Sequence, residues 1–205
     1  MSAFSENKII DRSICVVIDP GHGGEDGGAV SVSGVPESAY NLEISTRLKD
    51  LLNLLGYQTK LIRSSDISVY TKGGTLAQKK ASDLKERVRM INETEGAVLL
   101  SIHQNYYGDS RYSGTQVFYA KTAGSEQLAK QLQSAFISVL NPSSRRETKK
   151  CSGIYLMEHI RCPGVLIECG FLSNPQEEGN LKNPEYQKRL SAVVAAVTSQ
   201  YLSNT

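Results

Sequence analysis

The longest apolar runs of this 205-residue chain are "ICVVID" (14–19), "AVLLSIH" (97–103) and "GVLIE" (164–168), none broken by the polar alternation of a half-exposed hairpin. Continuous runs of this kind suit strands covered on both faces, as in a parallel or mixed sheet beneath helices. Two further segments, "YQTKLI" (57–62) and "TQVFYA" (115–120), have strand character with more polar residues interleaved. Between them, residues 37–55, 82–94, 125–140 and 185–202 repeat apolar positions at helical spacing. In the first of these Leu42, Ser45, Leu48, Leu52 and Leu55 share a face and Gly56 supplies a stop, whereas Ser82 followed by Lys85 and Glu86 is an imperfect helix start. The alternation predicts an α/β fold, a single layered domain over 14–205 behind a polar tail at 1–13. Its sheet is expected to be twisted, mostly parallel or mixed, of about six strands flanked by helices. Residues 67–81, "ISVYTKGGTLAQKKA", break the rhythm and read as a surface excursion.

Composition changes this picture little. Hydrophobic residues at 40% and charged residues at 21% are ordinary for a globular domain and exclude a disordered or fibrous chain. The formal charge of +2 is too small for a nucleic-acid footprint, so no nucleic-acid partner is expected. The densest basic run, "RRETKK" (145–150), contains Glu147, has no interleaved aromatics and lies between Pro142 and Gly153, which reads as a solvated loop. No stretch approaches the roughly 20 apolar residues of a membrane helix. The polar start "MSAFSENKIIDRS" lacks the basic and apolar regions of an export signal. The chain is therefore expected either to be cytosolic or to follow a removed export segment. Of the four cysteines, Cys15 and Cys169 lie in or beside apolar runs and read as buried thiols, while a bridge between Cys151 and Cys162 stays open.

The chemistry collects where the apolar strands stop. "ICVVID" runs into Pro20, Gly21 and His22, "AVLLSIH" ends on His103, and "GVLIE" ends on Glu168. In open α/β sheets the carboxyl ends of strands form the crevice that binds ligands. A helix starting near Pro36 and packed beside the first strand would bring Glu37 to the same edge. Two histidines and a carboxylate are a common ligand set for catalytic zinc, which keeps an open position, so His22, Glu37 and His103 form a candidate metal site. Glu168 would then be free to act as general base towards a water. Glycines around His22 would let a metal and a bulky polymer approach the backbone. The loop lacks the G-x-G-x-x-G and G-x4-G-K-[ST] spacings, and Glu25 and Asp26 oppose an anion there, so nucleotide binding is not expected. Blander readings stay open: Glu37 as a helix-dipole partner, and His103 and Glu168 as ordinary loop residues. Asp19 either stands behind a ligating histidine or shapes the turn before Pro20. His159, in "LMEHIRCPG", lies outside the strand ends and reads as a non-ligand.

The motifs "IDPGHGG" (18–24), "ESAYNL" (37–42), "SIHQN" (101–105) and "ECGFLSN" (168–174) resemble the zinc-dependent N-acetylmuramoyl-L-alanine amidases of the type-3 class, with weaker matches at "RSSD" (63–66) and "LKERVRMIN" (84–92). The resemblance spans about residues 14–202. It implies zinc as cofactor bound by His22, Glu37 and His103, Glu168 as the catalytic carboxylate, and peptidoglycan as substrate, cut between muramic acid and L-alanine. The long 67–81 segment is similar to one in spore-cortex amidases, which implies pairing with a deacetylase that goes on to form muramic-δ-lactam. It also implies an exported protein acting in the cell wall or cortex space, its signal segment removed. The chain carries no appended wall-binding repeat, so targeting or control of the metal site is expected to come from a regulatory protein partner. Rival readings are a zinc peptidase acting within the stem peptide and a non-catalytic wall-binding or regulatory module. An intact ligand set with a general base argues against the second.

Overall fold

The computed structural model describes residue 11 and residues 13–204, so most of the tail expected at 1–13 lies outside the described residues. The elements run β1 (Cys15–Pro20), α1 (Glu37–Leu54), β2 (Gln58–Leu61), α2 (Leu76–Asn92), β3 (Ala97–Asn105), β4 (Gln116–Tyr119), α3 (Ser125–Val139), β5 (Lys149–Lys150), α4 (Tyr155–His159), β6 (Gly164–Phe171), α5 (Pro175–Lys182) and α6 (Pro184–Leu202). They form one mixed sheet in the order β2-β1-β3-β6-β4-β5. The first four strands in that order are parallel, β4 is antiparallel to β6, and β5 follows β4.

The continuous apolar runs are strands with a core on each side. Val16, Ile18, Leu100, Ile102, Val165 and Ile167 pack against α1, α3 and α6 through residues such as Ile44, Leu48, Phe136 and Val194. Val17, Leu99 and Leu166 face Ile91 of α2 and Leu156 and Met157 of α4. Burial on both faces removes the polar alternation that a one-sided sheet would show.

Three details depart from the sequence reading. A sixth strand forms inside the basic run, where Lys149 and Lys150 pair with Phe118 and Tyr119 at the sheet edge. The second helix begins at Leu76, because Thr75 and Gln78 form a reciprocal capping box. Ser82 lies inside that helix, its Oγ accepting from the Thr71 N–H at 3.2 Å, so the excursion shrinks to Ile67–Thr75. In α1 the buried face is Tyr40, Asn41, Ile44, Ser45, Leu48 and Leu52, with Leu55 beyond the helix and exposed. All four cysteines are free thiols, which closes the question of a Cys151–Cys162 bridge.

Register aligns the strand ends. Pro20 pairs with Ile102 across β1 and β3, and His103 pairs with Glu168 across β3 and β6. Beyond that pair the register slips, Asn105 meeting Phe171. Such a bulge ends regular pairing and re-aims side chains beside a site. Glu178 of α5 ties down the loop that leads into α1, accepting from Ser31 Oγ at 3.0 Å and Tyr40 Oη at 2.9 Å, with Ser33 and Lys182 against the same oxygen.

Burial alone would raise the Glu178 carboxyl, but these donors bring it down to about 2. A depressed folded-state pKa contributes stability above the unfolded value, lost as pH falls through the folded one. The Tm advantage of wild type over Glu178→Gln should be full above pH ~4.5 and shrink towards pH ~2; thermal unfolding across that range, with a constant gap as the contrary result, checks it.

Candidate metal centre

After β1 the chain turns sharply. The Gly21 N–H still donates to the Ile102 carbonyl at 3.0 Å, and His22 then takes φ +60°, the one non-glycine with positive φ among the described residues. That left-handed backbone is disfavoured and persists where its surroundings over-determine it. Here the Arg87 Nη2 donates to the His22 carbonyl at 2.7 Å and the Gly23 N–H to the Asp26 carbonyl at 2.7 Å. The His22 Nδ1 lies 2.9 Å from Asp26 Oδ2, which turns Nε2 towards Glu37 Oε2 at 3.3 Å. Glu37, the first residue of α1, meets His103 Nδ1 with Oε1 at 2.9 Å. One ligand atom from each of the three residues lies within 4.8 Å of the other two. Tetrahedral zinc with bonds of about 2.05 Å separates its donors by roughly 3.3 Å, so side chains this close fit the ion with small adjustment.

Glycine supplies the room. A Cβ at Gly21 would stand 2.2 Å from the His103 ring, and one at Gly28 would stand 2.6 Å from Glu37 Oε2 and 2.7 Å from His22 Cδ2. At these two positions glycine clears space for the candidate ligands themselves, where the sequence reading had expected clearance for a metal and a polymer.

The electrostatics separate the carboxylates. Burial opposes ionisation of Glu37, but His103 and His22 hold it well below the usual carboxylate range. Its oxygens also accept from the Gln104 N–H (3.1 Å), Asn41 Nδ2 (3.2 Å) and the Ala29 N–H (3.1 Å). Asp19 is fully buried, yet Arg87, with Nη1 at 2.5 Å, keeps its pKa down, and Ser101 Oγ donates at 2.8 Å. Asp19 therefore anchors Arg87 and does not stand behind a histidine; Asp26 holds that position. Glu168 goes the other way. Burial first, and Glu37 next among the raising influences, push it up to about 7 against the pull of His103 and His22, and its buried Oε2 has no hydrogen-bond partner. A cleft of about 230 Å³ joins His22, His103 and Glu168, with Ile154 and Leu156 as an apolar wall.

The structure thus brings together His22, Glu37, His103 and Glu168. His159 lies elsewhere, stacked on Tyr155 with Nδ1 on that residue's carbonyl. Sequence reasoning missed Asp26, Asn41, Gln104 and the paired arginines. Arg63 donates to the carbonyls of Pro20 (2.9 Å), Gly21 (3.0 Å) and Ser38 (2.8 Å), and Arg87 to that of Pro20 (2.9 Å). The signal was present in "RSSD" and "LKERV", which resemble the amidase pattern at these two arginines.

A family model described as N-acetylmuramoyl-L-alanine amidase matches residues 16–199. A germination-specific N-acetylmuramoyl-L-alanine amidase of Bacillus subtilis is 39% identical over 181 residues, 87% of this chain and 76% of the relative. The amidase LytC of the same organism is 30% identical over 96% of this chain and 36% of its own length. Among solved structures, the CwlD amidase of Clostridioides difficile, in complex with the GerS lipoprotein, superposes with a TM-score of 0.89 at 34% identity, covering 94% of this chain and 100% of that one.

Removing one partner of a buried ion pair strands the other. Arg87→Met should lower the unfolding free energy by roughly 3–5 kcal/mol by leaving Asp19 charged and unpaired. Urea denaturation measures this, and a loss below 1 kcal/mol would contradict the role given to Arg87.

Proposed function

The chain belongs to the N-acetylmuramoyl-L-alanine amidase family and hydrolyses the amide between N-acetylmuramic acid and L-alanine in peptidoglycan; from that premise we propose that His22, Glu37 and His103 hold zinc and that Glu168 moves the proton. The family is generally zinc-dependent, and the observation that carries the reading here is the close triad beside a carboxylate with an unpartnered buried oxygen. When bound, zinc would polarise the amide carbonyl and lower the pKa of a water to about 7.

This chain's own residues then have separable tasks. Asp26 orients the His22 ring through Nδ1 and leaves Nε2 free as a donor to metal. Asn41 and Gln104 fix the Glu37 carboxylate. Glu168, with a pKa raised to about 7, is suited both to accept a proton from the attacking water and to return it to the departing L-alanine amine. The apolar wall of Ile154 and Leu156 limits water at the reacting carbon.

The place of action is the cell wall. The germination-specific relative supports placement in the spore cortex, where the cut would supply a deacetylase forming muramic-δ-lactam. The relative seen with a lipoprotein supports a regulatory protein partner here as well. No helix among the described residues is long and apolar enough to cross a membrane.

Glu168→Gln should keep stoichiometric zinc and lose amidase turnover by about 10²–10⁴-fold; metal analysis beside mass spectrometry of digested cortex reads both. Intact muramic acid and free L-alanine amino termini mark the amidase, a shortened stem marks a peptidase, and an active variant removes Glu168 from its role. Asp26→Asn should weaken zinc affinity by roughly 10–100-fold, as losing an orienting partner of a ligating histidine does. Competition with a chelating dye measures this, and an unchanged affinity would show that Asp26 does not orient His22.

A further inference from the structure

The rim of the sheet is charged unevenly on its two sides. Towards β1 and β2, Lys79 and Lys80 near the start of α2 are neutralised, Lys79 by Glu25 at 2.6 Å and Lys80 by Asp26 at 2.9 Å. Towards β4 and β5, Arg111 is held by Asp109 at 2.7 Å, whereas Arg145 and Arg146 have no carboxylate partner among the described residues. Because β4 is antiparallel to β6, its first residue, Gln116, pairs with Glu168. Since β5 follows β4, the segment 141–148 leading into it reaches the same rim. Arg146 is fixed there, donating from Nε to the Ser113 carbonyl at 2.7 Å and from Nη1 to Gln116 Oε1 at 2.8 Å, with its guanidinium 4.6 Å from the centre of the Phe171 ring. None of these bonds reaches a carboxylate. Glu177 feels the charge of Arg146, but its oxygens accept from the N–H groups of Gly114 and Phe171. Arg145 is exposed, with no ion pair or hydrogen bond among the described residues.

These two arginines, with Tyr112, Asn141 and Ser144, line a cleft of about 460 Å³. Tyr107 and Tyr112 stand beside it with ring centres 4.4 Å apart, about half exposed. An immobilised guanidinium with free N–H groups is suited to a carboxylate, and adjoining exposed rings to the apolar part of the same ligand. The two sides of the scissile amide differ in this respect. The glycan side has lost its lactyl carboxylate to the amide, whereas the stem peptide retains free carboxylates beyond L-alanine.

Resting on the amidase reading, we propose that the Tyr112–Arg146 cleft is the stem-peptide subsite. Arg145 and Arg146 bind a free carboxylate of the residues that follow L-alanine, and Tyr107 and Tyr112 pack against the peptide. The substrate then lies across the rim with one polarity, its peptide running from Glu168 towards β5 and its glycan towards the loops after β1 and β2.

The test uses zinc-loaded full-length protein and two soluble muramoyl peptides, one with free stem carboxylates and one with all of them amidated. For Arg145→Gln together with Arg146→Gln, KM on the acidic peptide should rise about tenfold, the size of one lost charge-assisted hydrogen bond, with kcat changed less than about twofold. On the amidated peptide the loss should be several-fold smaller than on the acidic one, because only the contact to a free carboxylate is absent there. Arg145→Gln alone, at a residue with no packing role, should show a smaller shift of the same kind. Titration calorimetry with the released acidic peptide should show binding to wild type weakened about tenfold in the double variant, a readout independent of turnover. Equal losses on both peptides, or no loss on either, overturn the subsite. Wild type that cleaves neither peptide overturns the amidase reading itself, a different result from cleavage that ignores stem charge.

Discussion

The site depends on how the backbone carbonyls just beyond β1 are satisfied. Where the strand ends, Pro20, Gly21 and His22 present carbonyls inside the protein with no ladder to accept from, and an unpaired buried carbonyl costs free energy comparable to a lost hydrogen bond. Two buried arginines from separate parts of the chain, Arg63 after β2 and Arg87 in α2, supply the donors, with Asn41 adding one to Gly21 at 3.2 Å. Because guanidinium presents several N–H groups in a rigid plane, each arginine fixes two or more carbonyls at once. The left-handed backbone of His22 follows from that grip, and so does the direction of its ring. Arg87 in turn tolerates burial because Asp19 and Asp83 both pair with it.

Three carboxylates at one sheet edge thereby acquire three different characters. Asp19 stays ionised through Arg87 and serves the backbone. Glu37 stays ionised through two imidazoles and three hydrogen-bond donors and is suited to a cation. Glu168, one strand further along and without donors to its inner oxygen, is raised to about 7 and is suited to proton transfer. The differences come from neighbours alone, since the side chains are chemically alike, and environments that push carboxylate pKa values apart are how acid and base tasks are divided near neutral pH.

The parts legible in the sequence were those carried by contiguous pattern. Unbroken apolar runs marked β1, β3 and β6, and with them the rim to which His22, His103 and Glu168 belong. The less legible parts depend on distant contacts. β5 is two exposed lysines whose pairing is set by Phe118 and Tyr119, and nothing in "RRETKK" signals a strand. The start of α2 was set by a capping box, Thr75 with Gln78, inside a segment whose glycines and lysines hide any periodicity. Asp26 was read only as a charge unfriendly to anions; its bond to His22 requires the turn that Arg87 imposes. Asn41 and Gln104 are polar residues in elements otherwise taken as core, and their function is visible only once α1 lies against β3.

That dependence on distant contacts also explains why the rim is built on the rigid part of the fold. A positive φ at His22, a buried Arg87 and an unpartnered Glu168 oxygen are each unfavourable in isolation. They occur where β1, β3 and β6 are covered on both faces, so relaxing any one of them would mean shifting strands that are locked into two cores. The Ile67–Thr75 excursion and the 141–148 segment lie outside that frame and flank the site. Burial is thus concentrated where the candidate ligands must be held in place, and the charged segments that flank the site add to its surface without entering either core.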